Sequence, residues 1–405
     1  MTYNLLSDLR VVEAASFIAA PTCGLHLMQM GAEVIRIDQI GGGPDFNRWP
    51  KAPNGLSLYW ESLNKGKKSV ALDLGRPEGR ELAQRLAAAP GESGGLFVTN
   101  FPVGGFFSHD KLAALRPDLI SLRVMGWEDG RPGLDYTVNA ALGVPMVTGP
   151  ASLGDAPVNH VLPAWDLLTG AYAAFALLAA ERRRRVDGKG QEIRLPLADV
   201  AIMSLGHMGN IAEATTTGAD RPRLGNDVFG AFGRDFAVKD GRLMIVAISG
   251  RQWTGLLEAL GATDAVTALE TELGVSFAKD EGVRFTWRDR LYPILEPVLA
   301  GRTEAELAPV FDRLGVCWGP YRTLTEALKD PQIAAGNPLL QTIDQPSGQA
   351  YPSAGPALNF AGLDRGSPGR APTLGQHTDE VLAELLGMGS GEIGRLHDQK
   401  LVAGR

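Results

Sequence analysis

The first 125 residues alternate between short apolar runs and amphipathic segments, and this alternation constrains the fold more than any other feature. Runs rich in Val, Ile and Leu predict strands, and the segments between them predict helices. Strands separated by helices are typical of a parallel α/β sheet whose faces are covered by helices. The loops at the strand ends would then gather at one edge, where ligands usually bind. The predicted strands are 9–13, 33–37, 69–74, 95–99 and 119–125, and the predicted helices follow Pro21 and cover 77–88.

Asp166 stands at the start of a long run that is otherwise without charge. The residues from 167 to 180 are apolar, small or Thr, which predicts a buried helix beginning at Asp166. Two interpretations are open. The carboxylate either caps the helix by accepting from its first N–H groups, or it does chemistry, because a helix N-terminus keeps a carboxylate ionised in an apolar setting. An ionised, poorly hydrated carboxylate is a competent nucleophile.

The composition limits the class of protein. A length of 405 residues, with 44% hydrophobic and 21% charged residues, suits a soluble globular chain of two domains. The net charge of -7 argues against nucleic acid as a partner. Residues 1–10 show no secretory signal and no uncharged apolar run reaches about 18 residues, so a cytoplasmic protein without a membrane partner is expected. Two Cys and six His show no zinc spacing, so no metal is expected.

The pattern changes after the long helix. A strand at 191–195 and a short helix through Ser204 precede a second unit of mixed strands and helices, with a strand at 242–248 and a helix at 252–260. A tail rich in Pro and Gly, 331–375, leads to two final helices near 378–387 and 391–397. The glycines at 41–43 do not form GxGxxG, so a dinucleotide site is weakly supported. The stretch 230–233 is either a ligand-facing loop or a plain turn.

Short motifs follow one another in a fixed order along nearly the whole chain. They are LRVVE at 9–13, GAEVIRID at 31–38, NKGKKS at 64–69, TNF at 99–101, the Asp166 helix, GKGQ at 188–191, RLGN at 223–226, VCWGP at 316–320 and LGQHT at 374–378. No single motif is decisive, but the ordered set resembles the class III CoA-transferase family, which includes formyl-CoA transferase and the acyl-CoA racemases.

The resemblance implies an architecture. A large Rossmann-like domain with a parallel sheet would be built from both ends of the chain, with a smaller inserted α+β domain, and two ring-like subunits would interlock as a homodimer. The large domain is expected at 1–205 and 351–405, the small domain at 223–325, and linkers at 206–222 and 326–350.

Four local strings narrow the implied activity: IGGGPD with RWP at 40–50, DYTVN at 135–139, NHVLPAWD at 159–166 and GAFGRDF at 230–236. They resemble family members that move CoA between the two carboxylates of one C5 diacid, mesaconate. CoA would be part of the substrate, with no permanently bound cofactor.

Three alternatives stay open: intermolecular CoA transfer to a free acid, acyl-CoA racemisation, and CoA binding without catalysis. The racemases place a His immediately before the Asp at the position of Leu134-Asp135, so racemisation is disfavoured, although His160 is a titratable group nearby in sequence.

The resemblance also implies the site residues. Asp166 matches the catalytic aspartate, which would form an anhydride and then an aspartyl-CoA thioester. The loop Gly230, Ala231, Phe232 and Gly233 is expected to supply or cover oxyanion donors, with Phe232 narrowing the pocket and excluding water. The CoA-binding candidates are Lys67, Lys68, Asn100, Phe101 and Arg36. The substrate-pocket candidates are Ile18, where some relatives carry Gln, together with Tyr136, Arg48 and Arg234, and either arginine would pair with the second carboxylate of the diacid.

Overall fold

The computed structural model describes residues 3–404 and divides into two compact units. The first unit contains the chain up to Leu142, then His160–Ala212, and the chain from Ala334 onward. The second unit contains Gly143–Asn159 and Glu213–Ile333. The domain limits that the resemblance implies stay a prediction. Between residues 3 and 404, no helix is both long enough and apolar enough to cross a membrane.

The secondary structure follows the alternation seen in the sequence. The strands are β1 (Arg10–Ala14), β2 (Glu33–Gln39), β3 (Lys68–Leu72), β4 (Leu96–Thr99), β5 (Ile120–Met125), β6 (Gln191–Pro196), β7 (Phe232–Val238), β8 (Gly241–Ala247), β9 (Cys317–Pro320), β10 (Leu340–Asp344), β11 (Ala350–Ala354) and β12 (Val402–Ala403). The helices are α1 (Ala19–Gln29), α2 (Leu58–Leu63), α3 (Pro77–Ala87), α4 (His109–Leu115), α5 (Asp135–Ala141), α6 (Val144–Val147), α7 (Ala164–Asp187), α8 (Leu197–His207), α9 (Asn210–Thr217), α10 (Gly250–Leu260), α11 (Thr263–Leu273), α12 (Glu281–Thr286), α13 (Arg288–Ala300), α14 (Glu304–Leu314), α15 (Leu324–Ala327), α16 (Thr378–Leu386) and α17 (Ser390–Asp398).

A seven-stranded sheet in the order β12-β3-β2-β1-β4-β5-β6 forms the centre of the first unit. Strands β1 to β6 pair in parallel, and β12 pairs antiparallel with β3. The order 3-2-1-4-5-6 is that of a doubly wound sheet, in which the strand order reverses between β1 and β4. The predicted α/β fold with a parallel sheet is therefore confirmed. The second unit has its own three-stranded antiparallel sheet, β7-β8-β9.

Both faces of the large sheet are covered, which explains its apolar strands. Neighbouring residues of a strand point to opposite faces, and accordingly Val11 packs in the core shared with α1 and α7 while Val12 packs in the core shared with α3 and α16. A strand buried on both faces reads as a continuous apolar run, which is the pattern that the sequence shows.

Two sequence predictions need correction. Helix α7 begins at Ala164 rather than Asp166, and it is not buried all round, because Leu168, Tyr172 and Phe175 are 40%, 37% and 64% exposed on one face. A helix that is apolar on every side does not reveal by periodicity which side faces its own core. The Pro- and Gly-rich tail also contains a hairpin, β10–β11, where the sequence predicts only a connecting segment.

A buried ionic cluster joins β1, β2 and the start of β3. The Lys67 ammonium donates to Glu13 at 2.8 Å and to the Pro21 carbonyl at 2.8 Å. Arg36 pairs with Asp38 at 2.7 Å, and Ser69 donates to the other Asp38 oxygen at 2.6 Å. Two cations thus balance two carboxylates, which is the condition under which buried charges are tolerated.

Gly170 sets how closely α7 approaches α1. A Cβ atom at this position would lie 2.6 Å from the Thr22 Cβ and 2.8 Å from the Ala19 carbonyl oxygen. The two helices can therefore pack at this distance only with a glycine on α7, one turn after Asp166.

We expect Gly170→Ala to lower the free energy of unfolding by about 1–3 kcal/mol, because the new methyl group overlaps the α1 backbone. Urea denaturation would measure the change. The matched control is Gly394→Ala on α17, where a Cβ meets nothing within 4 Å and helix propensity should raise stability by about 0.5–1 kcal/mol. Equal changes in the two variants would contradict this account of the helix contact.

Candidate active site

A cleft of about 680 Å³ lies at the carboxyl ends of β1 and β4 in the first unit. Residues 16–19 after β1, residues 100–103 after β4 and the Asp166 side chain line it. Ligands of doubly wound sheets bind where the strand order reverses, which is between these two strands. The cleft therefore brings together four residues predicted from the sequence, namely Ile18, Asn100, Phe101 and Asp166.

A larger groove of about 1120 Å³ lies elsewhere on the first unit. Its arginines already pair with acids at its walls, as Arg116 does with Asp118 and Arg184 does with Glu181. We choose the smaller cleft as the candidate active site because Asp166, which lines it, forms no ion pair among residues 3–404.

Asp135, and not Asp166, caps helix α7. One Asp135 carboxylate oxygen accepts the backbone N–H groups of Trp165 at 2.8 Å and of Asp166 at 3.1 Å. Among residues 3–404, none donates a hydrogen bond to the Asp166 carboxylate. The sequence left open whether Asp166 caps the helix or does chemistry. Asp135 fills the capping role, so the Asp166 carboxylate is available to react.

Asp135 is itself held in place. It is 1% exposed, and its other oxygen bonds to the Nε2 atom of His160. The Trp165 indole N–H donates to the Asn139 side chain at 3.1 Å, so α5 and the start of α7 are joined at a second point. The sequence carries no local sign of this contact, because 30 residues separate Asp135 from Trp165.

The surroundings of Asp166 make it an unusually weak acid. Burial raises the pKa of its carboxyl group to about 7, the negative charge of Asp135 adds to the rise, and the positive charge of Arg48 opposes it. A carboxylate with a raised pKa is a more basic nucleophile, but only its ionised form can attack. The site therefore gains reactivity at the expense of ionisation near neutral pH.

The cleft wall after β1 has a strained backbone. Phe17 has a φ of 69°, which is rare for a residue other than glycine. Its N–H donates to Asp45 at 3.0 Å, while the Asn100 side chain accepts from the Ser16 N–H at 3.3 Å and donates to the Ser16 carbonyl at 2.9 Å. Strain of this kind costs about 1–3 kcal/mol and persists only where such contacts enforce it. Asn100 thus shapes the wall, and its predicted role in CoA binding stays a prediction.

The predicted CoA-binding cations lie in different surroundings. Lys67 and Arg36 are 2% exposed and belong to the buried ionic cluster, so their charges are already paired with carboxylates inside the first unit. Lys68 is partly exposed and pairs with Glu33 at 2.9 Å and Glu380 at 2.6 Å. The fold does not bring these three cations to the cleft lining, and their role toward CoA stays a prediction.

The predicted lid loop belongs to the second unit. Gly230 has a φ of 75°, and the Val228 N–H closes the turn by donating to the Gly233 carbonyl at 2.8 Å. Ala231 is 6% exposed. The expectation that Phe232 narrows a pocket is wrong for this structure, because its fully buried ring packs 5.0 Å from Trp253 and 5.7 Å from Tyr292 in the core of that unit.

Three pocket candidates remain to be placed, and the first, Arg48, lies over the rings of Phe17 and Tyr59. Tyr136 lies on α5, where its hydroxyl donates to the Val161 carbonyl at 3.2 Å and its ring is 5.6 Å from His160. Arg234 lies in the second unit, and its guanidinium lies 3.5 Å from Glu296 and 3.9 Å from Asp227. Within the described range 3–404, no group of three His, Cys, Asp or Glu side chains could hold a metal ion.

Comparison with known proteins places this geometry in a family. The model of CoA-transferase family III matches residues 6–378, and the chain belongs to that family of enzymes. It is 48% identical to 2-methylfumaryl-CoA isomerase of Chloroflexus aurantiacus over 99% of this chain and 98% of that protein. It is 27% identical to succinyl-CoA–D-citramalate CoA-transferase of the same organism over 98% of each chain. A CaiB/BaiF family protein from Brucella suis has the same fold, with a TM-score of 0.76, 26% identity and coverage of 95% of this chain and 100% of that one.

We expect Asp135→Asn to move the acid limb of the pH–rate profile for CoA transfer to lower pH. If Asp166 is the nucleophile that the family resemblance implies, it must be ionised to attack, so the rate falls as the pH drops through its pKa of about 7. Asn keeps an oxygen for the helix cap but removes one of the charges that raise this pKa. The groups whose charges act on Asp166 or are acted on by it are Asp135, Arg48 and Tyr59.

The control for this shift is Asp187→Asn at the other end of α7, where the carboxylate pairs with Arg183. Its profile should match that of the unmodified enzyme. An unmoved acid limb in the Asp135 variant would show that the charge of Asp135 does not act on the group whose ionisation sets that limb.

Proposed function

We propose that the chain catalyses intramolecular transfer of CoA between the two carboxylates of mesaconate, converting 2-methylfumaryl-CoA into 3-methylfumaryl-CoA. The observation that carries the proposal is the 48% identity to 2-methylfumaryl-CoA isomerase along 99% of the chain. The geometry supports it, since Asp166 lines the cleft, its carboxyl group has a raised pKa, and its carboxylate does not cap the helix.

The first half of the reaction loads CoA onto the enzyme. The Asp166 carboxylate attacks the thioester carbonyl, the C–S bond breaks, and a mixed anhydride and CoA thiolate result. The thiolate then attacks the Asp166 carbonyl of the anhydride. This step forms an aspartyl-CoA thioester and releases the substrate as a free dicarboxylate.

The second half returns CoA to the other end of the same acid. The second carboxylate of the retained diacid attacks the aspartyl thioester, which expels CoA thiolate and forms a new anhydride. The thiolate attacks the substrate carbonyl of this anhydride, and Asp166 leaves as a carboxylate. Each bond formed thus replaces one broken, and no other reactant is needed.

Retention of the diacid determines the outcome. Well-oriented groups held together react with effective molarities of about 10⁵–10⁸ M. A free acid at about millimolar concentration cannot compete with a group held in this way. The oxyanions that form in each step need hydrogen-bond donors, and the assignment of this role to the 230–233 loop stays a prediction.

Intermolecular transfer is the second candidate. The 27% identity to succinyl-CoA–D-citramalate CoA-transferase over 98% of the chain favours it, since that name describes transfer between two acids. The same Asp166 chemistry would serve both functions. They differ only in whether the acid leaves the site before the second half begins.

We expect the pure protein, given mesaconyl-CoA and isotopically labelled free mesaconate, to yield the isomeric thioester without label. A retained acid never mixes with the external pool, whereas an acid that leaves would be replaced by labelled molecules. Chromatography with mass spectrometry separates the isomers and reports the label. Labelled thioester would instead support intermolecular transfer.

Asp166→Asn is the control for chemistry in this assay. The amide cannot form the anhydride, so isomerisation should stop while the substrate still binds. Turnover that survives this change would overturn the covalent mechanism, and unchanged binding without any turnover in either protein would favour a CoA-binding protein.

We also propose that the protein is an interlocked homodimer. The side chains Leu168, Tyr172 and Phe175 recur at i, i+4 and i+7 on α7, and they leave an apolar strip exposed in the single chain. Contiguous exposed apolar surface of this kind marks an interaction site. A second copy of the chain would cover it.

Native mass spectrometry should give a mass of twice 43.1 kDa for the unmodified protein. Phe175→Glu should lower the dimer fraction, because a charge would be buried at the interface, while Phe175→Leu should keep it. A monomer of the unmodified protein at micromolar concentration would contradict the proposal.

A further inference from the structure

Arg48 and Tyr59 form a cation–aromatic pair that interacts electrostatically with Asp166 and that the four steps above do not use. The guanidinium carbon of Arg48 lies 5.4 Å from the ring centroid of Phe17 and 5.5 Å from that of Tyr59. Cation–π contacts of this kind hold a planar cation in a fixed place. Phe17 also lines the cleft that contains Asp166.

Arg48 differs from the other arginines near the cleft in its lack of a counter-ion. Among residues 3–404, no carboxylate lies within 4.0 Å of its guanidinium, whereas Arg131 pairs with Asp129 at 2.6 Å and Arg123 lies 3.7 Å from Glu192. Its charge nevertheless reaches Asp166 and lowers the pKa of that carboxyl group. An exposed guanidinium in this position suits a carboxylate of the substrate, which it can bind with two parallel hydrogen bonds.

The Tyr59 hydroxyl gives a second, independent observation. Its oxygen is buried, and among the described residues it has no hydrogen-bond partner. The groups that act on it electrostatically are Arg48, Asp45 and Asp166, and burial raises the pKa of its hydroxyl, so it stays a proton donor near neutral pH. A buried hydroxyl without a partner indicates that a ligand atom forms the missing hydrogen bond.

We propose that Arg48 and Tyr59 bind the second carboxylate of the diacid while Asp166 reacts with the first. The assignment rests on the proposed function and deepens it, because it identifies the groups that retain the free acid between the two halves of the reaction. When the acid turns end for end, its carboxylates exchange places between Asp166 and this anchor. The structure thus favours Arg48 over Arg234, whose guanidinium already faces Glu296 and Asp227.

The anchor predicts that the enzyme selects diacids. A site built to bond a carboxylate rejects an acyl group that lacks one, because the buried Tyr59 hydroxyl is then left unpaired. Monocarboxylic acyl-CoA thioesters should therefore be poor substrates.

The test compares Arg48→Met, Arg48→Lys and Tyr59→Phe with the unmodified enzyme, using mesaconyl-CoA and labelled free mesaconate. Rates are taken on the alkaline plateau of each pH profile, because loss of the Arg48 charge raises the pKa of Asp166. We expect kcat/KM for isomerisation to fall by about 10- to 100-fold in Arg48→Met and by about 5- to 10-fold in Tyr59→Phe. Label should enter the thioester of Arg48→Met, because an unanchored acid escapes.

Arg80→Met is the matched control. Arg80 also lies over an aromatic ring, 5.5 Å from the centroid of Phe106, but it donates to the Leu74 carbonyl and, unlike Arg48, is not among the groups whose charges act on Asp166. Its rate and its unlabelled product should match those of the unmodified enzyme.

The outcomes separate the anchor from the proposed function. If the unmodified enzyme does not isomerise mesaconyl-CoA, the proposed function is overturned and the anchor with it. If it does, and Arg48→Met and Tyr59→Phe match it in rate and exclude the label, only the anchor is overturned. Should circular dichroism show that Arg48→Met is unfolded, Arg48→Lys and Tyr59→Phe decide, since both keep the bulk of the side chain.

Discussion

The buried pairing of Glu13 with Lys67 and Arg36 is the interaction on which the first unit depends. Glu13 lies in the central strand β1 and is fully buried, so its charge must be balanced from the neighbouring segments. Removal of one partner from such a cluster typically costs about 3–5 kcal/mol, because an unpaired charge is then left in the interior. The cluster fixes β1, β2 and the start of β3 relative to one another, and β1 leads directly into the strained wall of the cleft.

Two different carboxylates of the site cap helix α7 and present free oxygens to the cleft. Asp135 satisfies the first N–H groups of α7, and Asp166 on the same helix keeps its oxygens free. A nucleophile that also capped its own helix would lose that cap whenever it formed a covalent bond. In the proposed mechanism the helix end would stay satisfied through each covalent step, since Asp135 forms no covalent bond.

The sequence predicts the sheet better than it predicts the site. Strands such as β4 and β5 are recognisable because burial on both faces makes them continuously apolar. The contact of Asp135 with α7 and the positive φ of Phe17 have no local pattern, because one joins distant segments and the other is enforced by tertiary contacts. Strand β12 is missed for a different reason, since two residues carry no periodicity.

The chain order of the two units has a consequence for synthesis on the ribosome. Most of the second unit is one continuous stretch, Glu213–Ile333, which emerges before the first unit has received its last residues. Val381, Leu382 and Leu401 complete the core on one face of the large sheet, and β12 closes its edge. The nascent chain therefore carries Asp166 long before the residues that complete the core and edge of its supporting sheet have been made.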